Sequence, residues 1–150
     1  MASVAALYTP EVLMLATGLV NHRWDDQFAL QGAARSPSCG STLKVGVDLD
    51  AEGRIARIGV AAQACAIGQA AGAIMANAAA GRSMEDFVQA EGALQRWLAG
   101  EGELPDWPGL SVLAPARDFP GRHGAILLGW RAVIQAFTHG AKAGGGGAEM

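Results

Sequence analysis

One stretch of the chain, residues 36–69, constrains the fold more than any other. It reads SPSCGSTLKVGVDLDAEGRIARIGVAAQACAIGQ. From residue 42 to residue 49, apolar residues alternate with polar or small ones, the period-two pattern of a half-buried strand. Residues 50–53 (DAEG) supply turn chemistry, and a second β-rich run follows from residue 55 to residue 60. The stretch therefore predicts a β-hairpin.

The two cysteines of the chain flank this hairpin. Cys39 precedes the turn and Cys65 follows it, at distances from the turn centre that differ by about one residue. Residues equidistant from a turn lie opposite each other in an antiparallel ladder. Ile55 and Ile58 are out of phase for strict alternation, which indicates a β-bulge that absorbs the mismatch. We expect both thiols at the same end of the sheet.

Length and charge limit the class of protein. A chain of 150 residues is long enough for one domain with a real core, and we expect it at residues 1–140, followed by a flexible Gly-rich tail at 141–150. The net charge of −3, without a basic stripe, argues against nucleic acid as a partner. No apolar stretch spans a bilayer and no signal peptide is evident, so no membrane association is expected and the cytoplasm is the expected location.

The remaining periodicities predict helices around the hairpin. Apolar spacing and capping residues indicate helices at 7–19, 65–79, 83–98, 110–113 and 125–137, with a short strand at 28–33. Strands followed by a run of helices are typical of an α+β fold. We expect a three-stranded antiparallel sheet that helices cover on one face.

The positions of the cysteines suggest thiol chemistry. Cys65 lies at a strand-to-helix junction, where the free N–H groups and positive potential of a helix N-terminus favour a thiolate. Cys39 lies in a tight Ser-Cys-Gly-Ser loop, where backbone N–H groups can point at the sulfur. A thiolate binds soft metals or accepts sulfur. The alternative is that one or both cysteines are small buried hydrophobic residues.

A metal site needs more than these two thiols. Zinc and iron centres usually have four ligands, of which the cysteines supply half. His123 is the best remaining donor, because it comes just before the last predicted helix, where a third ligand can approach the hairpin end. The alternative for this residue is a surface histidine beside Arg122.

Several motifs, in this order and at these separations, resemble one family. Residues 7–23 are loosely similar to its opening helix and Asn-Pro-Arg-Asn exit, residues 38–41 (SCGS) to its Cys-Gly-Asp loop, and residues 64–70 (ACAIGQA) to its Gly-Cys-Ala-Ile segment. The motifs RDFP and AILLGW, at 117–120 and 125–130, are similar to the segment around its third cysteine. The chain thus resembles the iron–sulfur cluster assembly scaffolds of the IscU/NifU N-terminal-domain family. The extra length after Cys65 resembles the SufU branch most.

The chain departs from the family pattern at the site. Ser41 stands where the family has the aspartate of Cys-Gly-Asp, and Gly124 stands where it has the third cysteine. His123 matches the histidine that IscU members place before that cysteine. The chaperone-recognition motif of the IscU branch is replaced by residues 119–122 (FPGR).

The resemblance implies a function that is not enzymatic. It implies that Cys39 and Cys65 bind iron or a [2Fe–2S] cluster, with zinc as the alternative and His123 as a third ligand. It also implies a cysteine desulfurase and apo iron–sulfur acceptor proteins as partners. Since one chain offers an incomplete set of ligands, a homodimer with two thiolates from each protomer is a further hypothesis.

Two other functions compete with the scaffold. One is a zinc-bound sulfur relay, an accessory of a desulfurase in which a cysteine receives persulfide; Gly124, in place of the acceptor cysteine, weighs against it. The other is a degenerate scaffold that serves as a partner-binding module. Both Cys39 and Cys65 are retained at matched positions of the hairpin, which weighs against the hypothesis of a degenerate scaffold.

Overall fold

A three-stranded antiparallel sheet forms one layer of the structure. The computed structural model describes residues 4–37 and 40–139. The strands are β1 (Leu30–Arg35), β2 (Thr42–Leu49) and β3 (Ile55–Gln63), in the order β1-β2-β3. The strand that precedes the hairpin was predicted at 28–33. It forms β1, which begins and ends two residues later than its sequence pattern indicated.

The predicted hairpin is formed by β2 and β3. Thr42 pairs with Gln63 at one end and Leu49 with Ile55 at the other. Between them the register shifts, since Asp48 pairs with Arg57 and Ala56 is left as the extra residue. The predicted bulge is confirmed, and it restores the phase that brings Ile55 into the core.

Four α-helices and four short 3₁₀ segments make up the rest of the described chain. The α-helices are α1 (Pro10–Ala16), α2 (Ala66–Asn77), α3 (Met84–Leu98) and α4 (His123–His139). The 3₁₀ segments are Val4–Leu7, Gly18–Asn21, Leu110–Asp118 and Pro120–Arg122. No helix in this part of the chain is long and apolar enough to cross a membrane.

The first predicted helix, 7–19, is in fact divided. Thr9 caps α1, its Oγ1 accepting the amide of Val12 at 3.1 Å, and Pro10 occupies the first helical position. The α-helix ends at Ala16, and residues from Gly18 continue as a 3₁₀ turn. The short helix predicted at 110–113 is instead a 3₁₀ segment that reaches Asp118 and contains Pro115.

The helices cover one face of the sheet. Gly32 of β1 lies so close to α4 that an added Cβ would be 2.3 Å from the carbonyl oxygen of Ala132. On α2, a Cβ at Gly72 would be 3.1 Å from Leu43 of β2, so glycine at this position allows the helix to pack closely on the sheet. The α+β fold, with helices on one face of an antiparallel sheet, is confirmed.

An aromatic cluster fixes the layer of helices. Trp130 of α4 is fully buried and meets Trp107 edge-on, with ring centroids 5.4 Å apart. Trp107 meets Phe87 of α3 at 5.2 Å and donates its indole N–H to the carbonyl oxygen of Ile74 at 3.0 Å. These contacts attach the irregular connection after α3 to the core.

The other face of the sheet is partly covered by the loop that leads into β1. Phe28 in this loop is only 1% exposed. It lies over the cross-strand pair Gly46 and Gly59, where a Cβ on either glycine would be 2.5 Å from the Phe28 ring. The ring of Trp24 lies beside that of Phe28, with ring centroids 6.3 Å apart. Glycine at these two positions therefore makes room for an aromatic cover on the outer face.

Candidate metal site at the cysteine end of the sheet

Cys65 joins β3 to α2. The strand ends at Gln63, and Cys65 occupies the N-cap position of α2 with an extended backbone (φ −64°, ψ 169°). Its side chain makes no capping hydrogen bond, and the thiol is free and half-buried. Cys65 therefore carries a partly exposed thiol at the first turn of α2.

The loop that contains Cys39 connects β1 to β2 at the same end of the sheet. Cys39 itself lies outside the described residues, but both shoulders of the loop are defined. The Ser36 amide donates to the Ser41 carbonyl oxygen at 2.8 Å, and the Gly40 amide donates to the Ser36 carbonyl oxygen at 2.8 Å. Gly40 has a φ of 74°, which favours glycine. These two hydrogen bonds hold the described ends of the loop, Ser36 on one side and Gly40 and Ser41 on the other, close together.

The pairing of β2 with β3 relates this loop to Cys65. Thr42 is paired with Gln63, so Gly40 lies two residues before the pair and Cys65 two residues after it. Ser41, at the position of the family's aspartate, is buried. The register therefore places Cys65 at the end of the sheet to which the β1–β2 loop leads. The expectation that both thiols lie at this end stays a prediction, because Cys39 lies outside the described residues.

The beginning of α4 lies against the beginning of α2. A Cβ at Gly68 would be 3.3 Å from Cβ of Ala125 and 2.9 Å from Cβ of Ala64. Because Gly124 and His123 directly precede Ala125, the start of α4 with His123 adjoins the start of α2, which follows Cys65. Gly124 contributes no side chain there.

His123 uses one of its two ring nitrogens within the protein. Nε2 is 2.9 Å from the carbonyl oxygen of Arg117 and 3.2 Å from that of Ala116. Carbonyl oxygens only accept, so Nε2 carries the proton and donates. In the neutral ring, Nδ1 then holds the lone pair. Metal-binding histidines commonly donate their other N–H to a backbone carbonyl in this way.

The described residues alone do not form a complete metal site. Within 4–37 and 40–139, no group of three His, Cys, Asp or Glu side chains is arranged to hold a metal ion. The described candidate ligands are Cys65 and Nδ1 of His123, and Cys39 falls outside that part of the chain. The two carbonyl acceptors of His123, on Ala116 and Arg117, carry no sequence signal, and sequence analysis missed them.

Comparisons with known proteins agree with this architecture. The structure is similar to the crystal structure of a nitrogen-fixing NifU-like protein (N-terminal) from Brucella abortus, with a TM-score of 0.80, 25% identity, and coverage of 89% of this chain and 93% of that one. It is also similar to a putative iron–sulfur cluster assembly scaffold protein for the SUF system from Fervidobacterium islandicum AW-1, with a TM-score of 0.74, 17% identity, and coverage of 91% and 100%.

A third structure, of a hypothetical protein, matches with a TM-score of 0.70, 23% identity, and coverage of 91% of this chain and 100% of that one. No curated protein matches the chain significantly. The fold is thus similar to that of NifU-like proteins.

The sequence itself makes the assignment specific. The sequence model that describes the NifU-like N-terminal domain family matches residues 17–101, more than half of the chain. The chain belongs to the NifU-like N-terminal domain family, which confirms the resemblance seen in the sequence. The matched region contains both cysteines and ends before His123 and Gly124.

Proposed function

We propose that this protein is a non-enzymatic scaffold that binds iron or a [2Fe–2S] cluster through Cys39 and Cys65 during iron–sulfur cluster assembly. The observation that carries the proposal is the Thr42–Gln63 pair, which joins the strands leading to the two cysteine segments in a chain of the NifU-like family. The scaffold named in the Fervidobacterium structure has the same fold, which supports the proposal.

Two thiolates from one chain satisfy half of the sulfur ligands of a cluster. His123 is proposed as a third ligand through Nδ1, because Nε2 is engaged with the carbonyl oxygens of Arg117 and Ala116. A second route is assembly between two chains, in which each protomer supplies Cys39 and Cys65. Gly124 favours the two-chain route, because it removes the third thiolate.

The proposed partners are a cysteine desulfurase, which supplies sulfur, and apo iron–sulfur proteins, which receive the cluster. The proposed location is the cytoplasm, and the proposed working unit is residues 1–140, with 141–150 as a tail.

A zinc-bound sulfur relay is the second candidate function. Cys65 at the N-cap of α2 is half-buried, and a half-buried thiol can bind zinc as well as iron. A relay also needs a cysteine that receives persulfide, and Gly124 stands where the family carries it. The third candidate, a partner-binding module without metal, gains no specific support from the arrangement around Cys65.

Metal analysis of the purified full chain separates these functions. Protein from rich medium is analysed for zinc and iron, and a second sample is loaded anaerobically with iron and sulfide. Iron with visible colour supports the scaffold, about one zinc per chain that resists replacement by iron supports the relay, and neither metal supports the module. If the protein is a scaffold or a relay, Cys65→Ala should abolish its metal binding. Cys65→Ser is the isosteric variant for the same measurement.

The two-chain route has its own readout. Native mass spectrometry of the loaded protein should show a dimer that carries one cluster, while the apo protein is monomeric. A loaded monomer in the wild type would exclude that route and favour His123 as the added ligand.

A further inference from the structure

The outer edge of β1 is a surface that the proposed function leaves unused. Within the described residues, β1 is an end strand, and no strand pairs with its outer edge. The opposite edge of the sheet, on β3, is partly occupied, since Arg23 forms a bridge with Val60, and the Val60 amide donates to the His22 carbonyl oxygen at 2.7 Å. An open edge offers N–H and C=O groups to another extended segment.

Ala33 shows which backbone groups of β1 point outward. Its amide donates to Oε1 of Gln135 on α4 at 3.1 Å, so it does not donate to β2. The Ser36 amide, three residues later, donates toward β2, to the carbonyl oxygen of Ser41. Since backbone groups alternate along a strand, Gln31 and Arg35 share the outward orientation of Ala33. The side chain of Gln135 thus covers the middle of the edge.

Two adjoining hollows lie at this edge and on the neighbouring sheet surface. The first has a volume of about 240 Å³ and borders the edge of β1 from Gln31 to Gln135. The second has a volume of about 470 Å³, lies mainly over β2 and β3, and touches β1 at Ala33. Both include Ala33 and Lys44.

Lys44 gives these hollows a positive charge. Among the described residues that line them, Lys44 is the one charged side chain, and none is a carboxylate. Its ammonium lies 4.2 Å from the ring centroid of Trp24, so the charge is held on the outer face. The surface combines small apolar side chains, one cation and open backbone groups.

We propose that the edge of β1 binds an extended segment of another protein as a fourth strand, with an acidic side chain placed over Lys44. Backbone pairing with Gln31, Ala33 and Arg35 would provide affinity, and the acidic side chain would provide selectivity. Gln135 would release the Ala33 amide when the segment binds. A second copy of this chain fits less well, because residues 30–35 (LQGAAR) contain no acidic side chain.

The probes are two short blocked peptides of strand-forming sequence, Ac-Thr-Val-Glu-Val-Thr-NH₂ and its counterpart with Lys in place of Glu. They are titrated into the ¹⁵N-labelled full chain and followed by amide chemical shifts. The Glu peptide should shift the amides of residues 31–35, Lys44 and Ala61, and should bind about fivefold more tightly than the Lys peptide.

Three variants sharpen the test. Lys44→Glu should reverse the preference between the peptides, and the matched control Arg96→Glu, at an exposed position on α3, should leave it unchanged. Gln135→Ala should tighten binding of both peptides, because the Ala33 amide is already free. None of these readouts needs bound metal, so failure here leaves the proposed scaffold function standing.

Other results would overturn the proposal. They are the absence of saturable shifts at millimolar peptide, equal binding of the two peptides, or shifts centred away from β1. Shifts of residues 31–35 that depend on the concentration of the protein alone would show pairing with a second copy and overturn the choice of occupant.

Discussion

His123 donates its Nε2 proton to the carbonyl oxygen of Arg117 at 2.9 Å, and this bond decides how the histidine can act. It attaches the first residue of α4 to the 3₁₀ segment Leu110–Asp118, which contains Arg117. It also leaves Nδ1 as the nitrogen with a free lone pair in the neutral ring. His123 is therefore at once a structural donor and a candidate ligand.

The two roles of His123 can be separated with two substitutions. His123→Ala removes the donor and should lower the free energy of unfolding by about 1 kcal/mol, whereas His123→Gln retains an N–H donor and should lose less. Both should weaken zinc binding about tenfold if Nδ1 is a ligand. Urea unfolding and zinc titration measure the two effects. Unchanged zinc affinity in both variants would leave His123 with the structural role alone.

Gly124→Cys should restore the thiolate that the family places there. In the two-chain route, the wild type binds one [2Fe–2S] cluster per dimer, or about one iron per chain. With three thiolates in one chain, Gly124→Cys should move toward a loaded monomer with about two irons per chain. Iron analysis and native mass spectrometry give both numbers. A variant that stays a one-cluster dimer would argue that position 124 does not face the site.

The glycines under Phe28 should tolerate no side chain. In Gly59→Ala, the new Cβ would lie 2.4 Å from the Arg23 carbonyl oxygen and 2.5 Å from the Phe28 ring. Overpacking of this kind costs about 1–3 kcal/mol. Gly121→Ala is the matched control, since nothing lies within 4 Å of its added Cβ. Thermal or urea unfolding checks the difference. Equal stability of the two variants would mean that Phe28 does not occupy the outer face.

The capping box of α3 should make stability depend on pH. The Ser83 amide donates to Asp86 Oδ2 at 2.9 Å, which lowers the pKa of Asp86 below 3.8; the Ser83 hydroxyl, Arg54 and Arg82 add to this, and burial opposes it. A lowered folded-state pKa contributes stability that is present above the unfolded pKa and is lost as pH falls through the folded value.

Asp86→Asn should therefore be less stable than the wild type at neutral pH, with a difference that shrinks below about pH 4. Urea unfolding from pH 7 to pH 2.5 measures it. The exposed Glu103→Gln serves as the control, and we expect the Asp86→Asn difference to exceed it at pH 7. A difference that is constant across this range would contradict a role for the carboxylate charge.

Local patterns in the sequence were sufficient to predict the hairpin and, within one residue, the starts of α2 and α3. The alternation from Thr42 to Leu49 predicted a strand and the phase break at Ile55 predicted the bulge, because strand periodicity is a local property. Thr9 and Ser83 cap α1 and α3 as their side chains suggested.

Contacts between distant segments could not be predicted in this way. The cover of Phe28 over Gly46 and Gly59 joins residues that share no periodicity, and a loop aromatic carries no signal for the face it packs against. The bonds of His123 to backbone carbonyls depend on the path of the 3₁₀ segment that ends at Asp118. For the site, sequence nominated Cys39, Cys65 and His123, and the structure added the orientation of the His123 ring.

Anaerobic reconstitution tests the central claim most directly. Purified full-length protein is incubated with ferrous iron and sulfide, desalted, and analysed for iron, sulfide and visible absorption. The account predicts a coloured protein with about one iron and one sulfide per chain in the two-chain route, or about two of each if one chain holds the cluster with His123. It also predicts loss of both in Cys39→Ala and in Cys65→Ala, and no loss in the neighbouring Ser38→Ala. A wild type that binds no cluster, or cysteine variants that bind as much as the wild type, would contradict it.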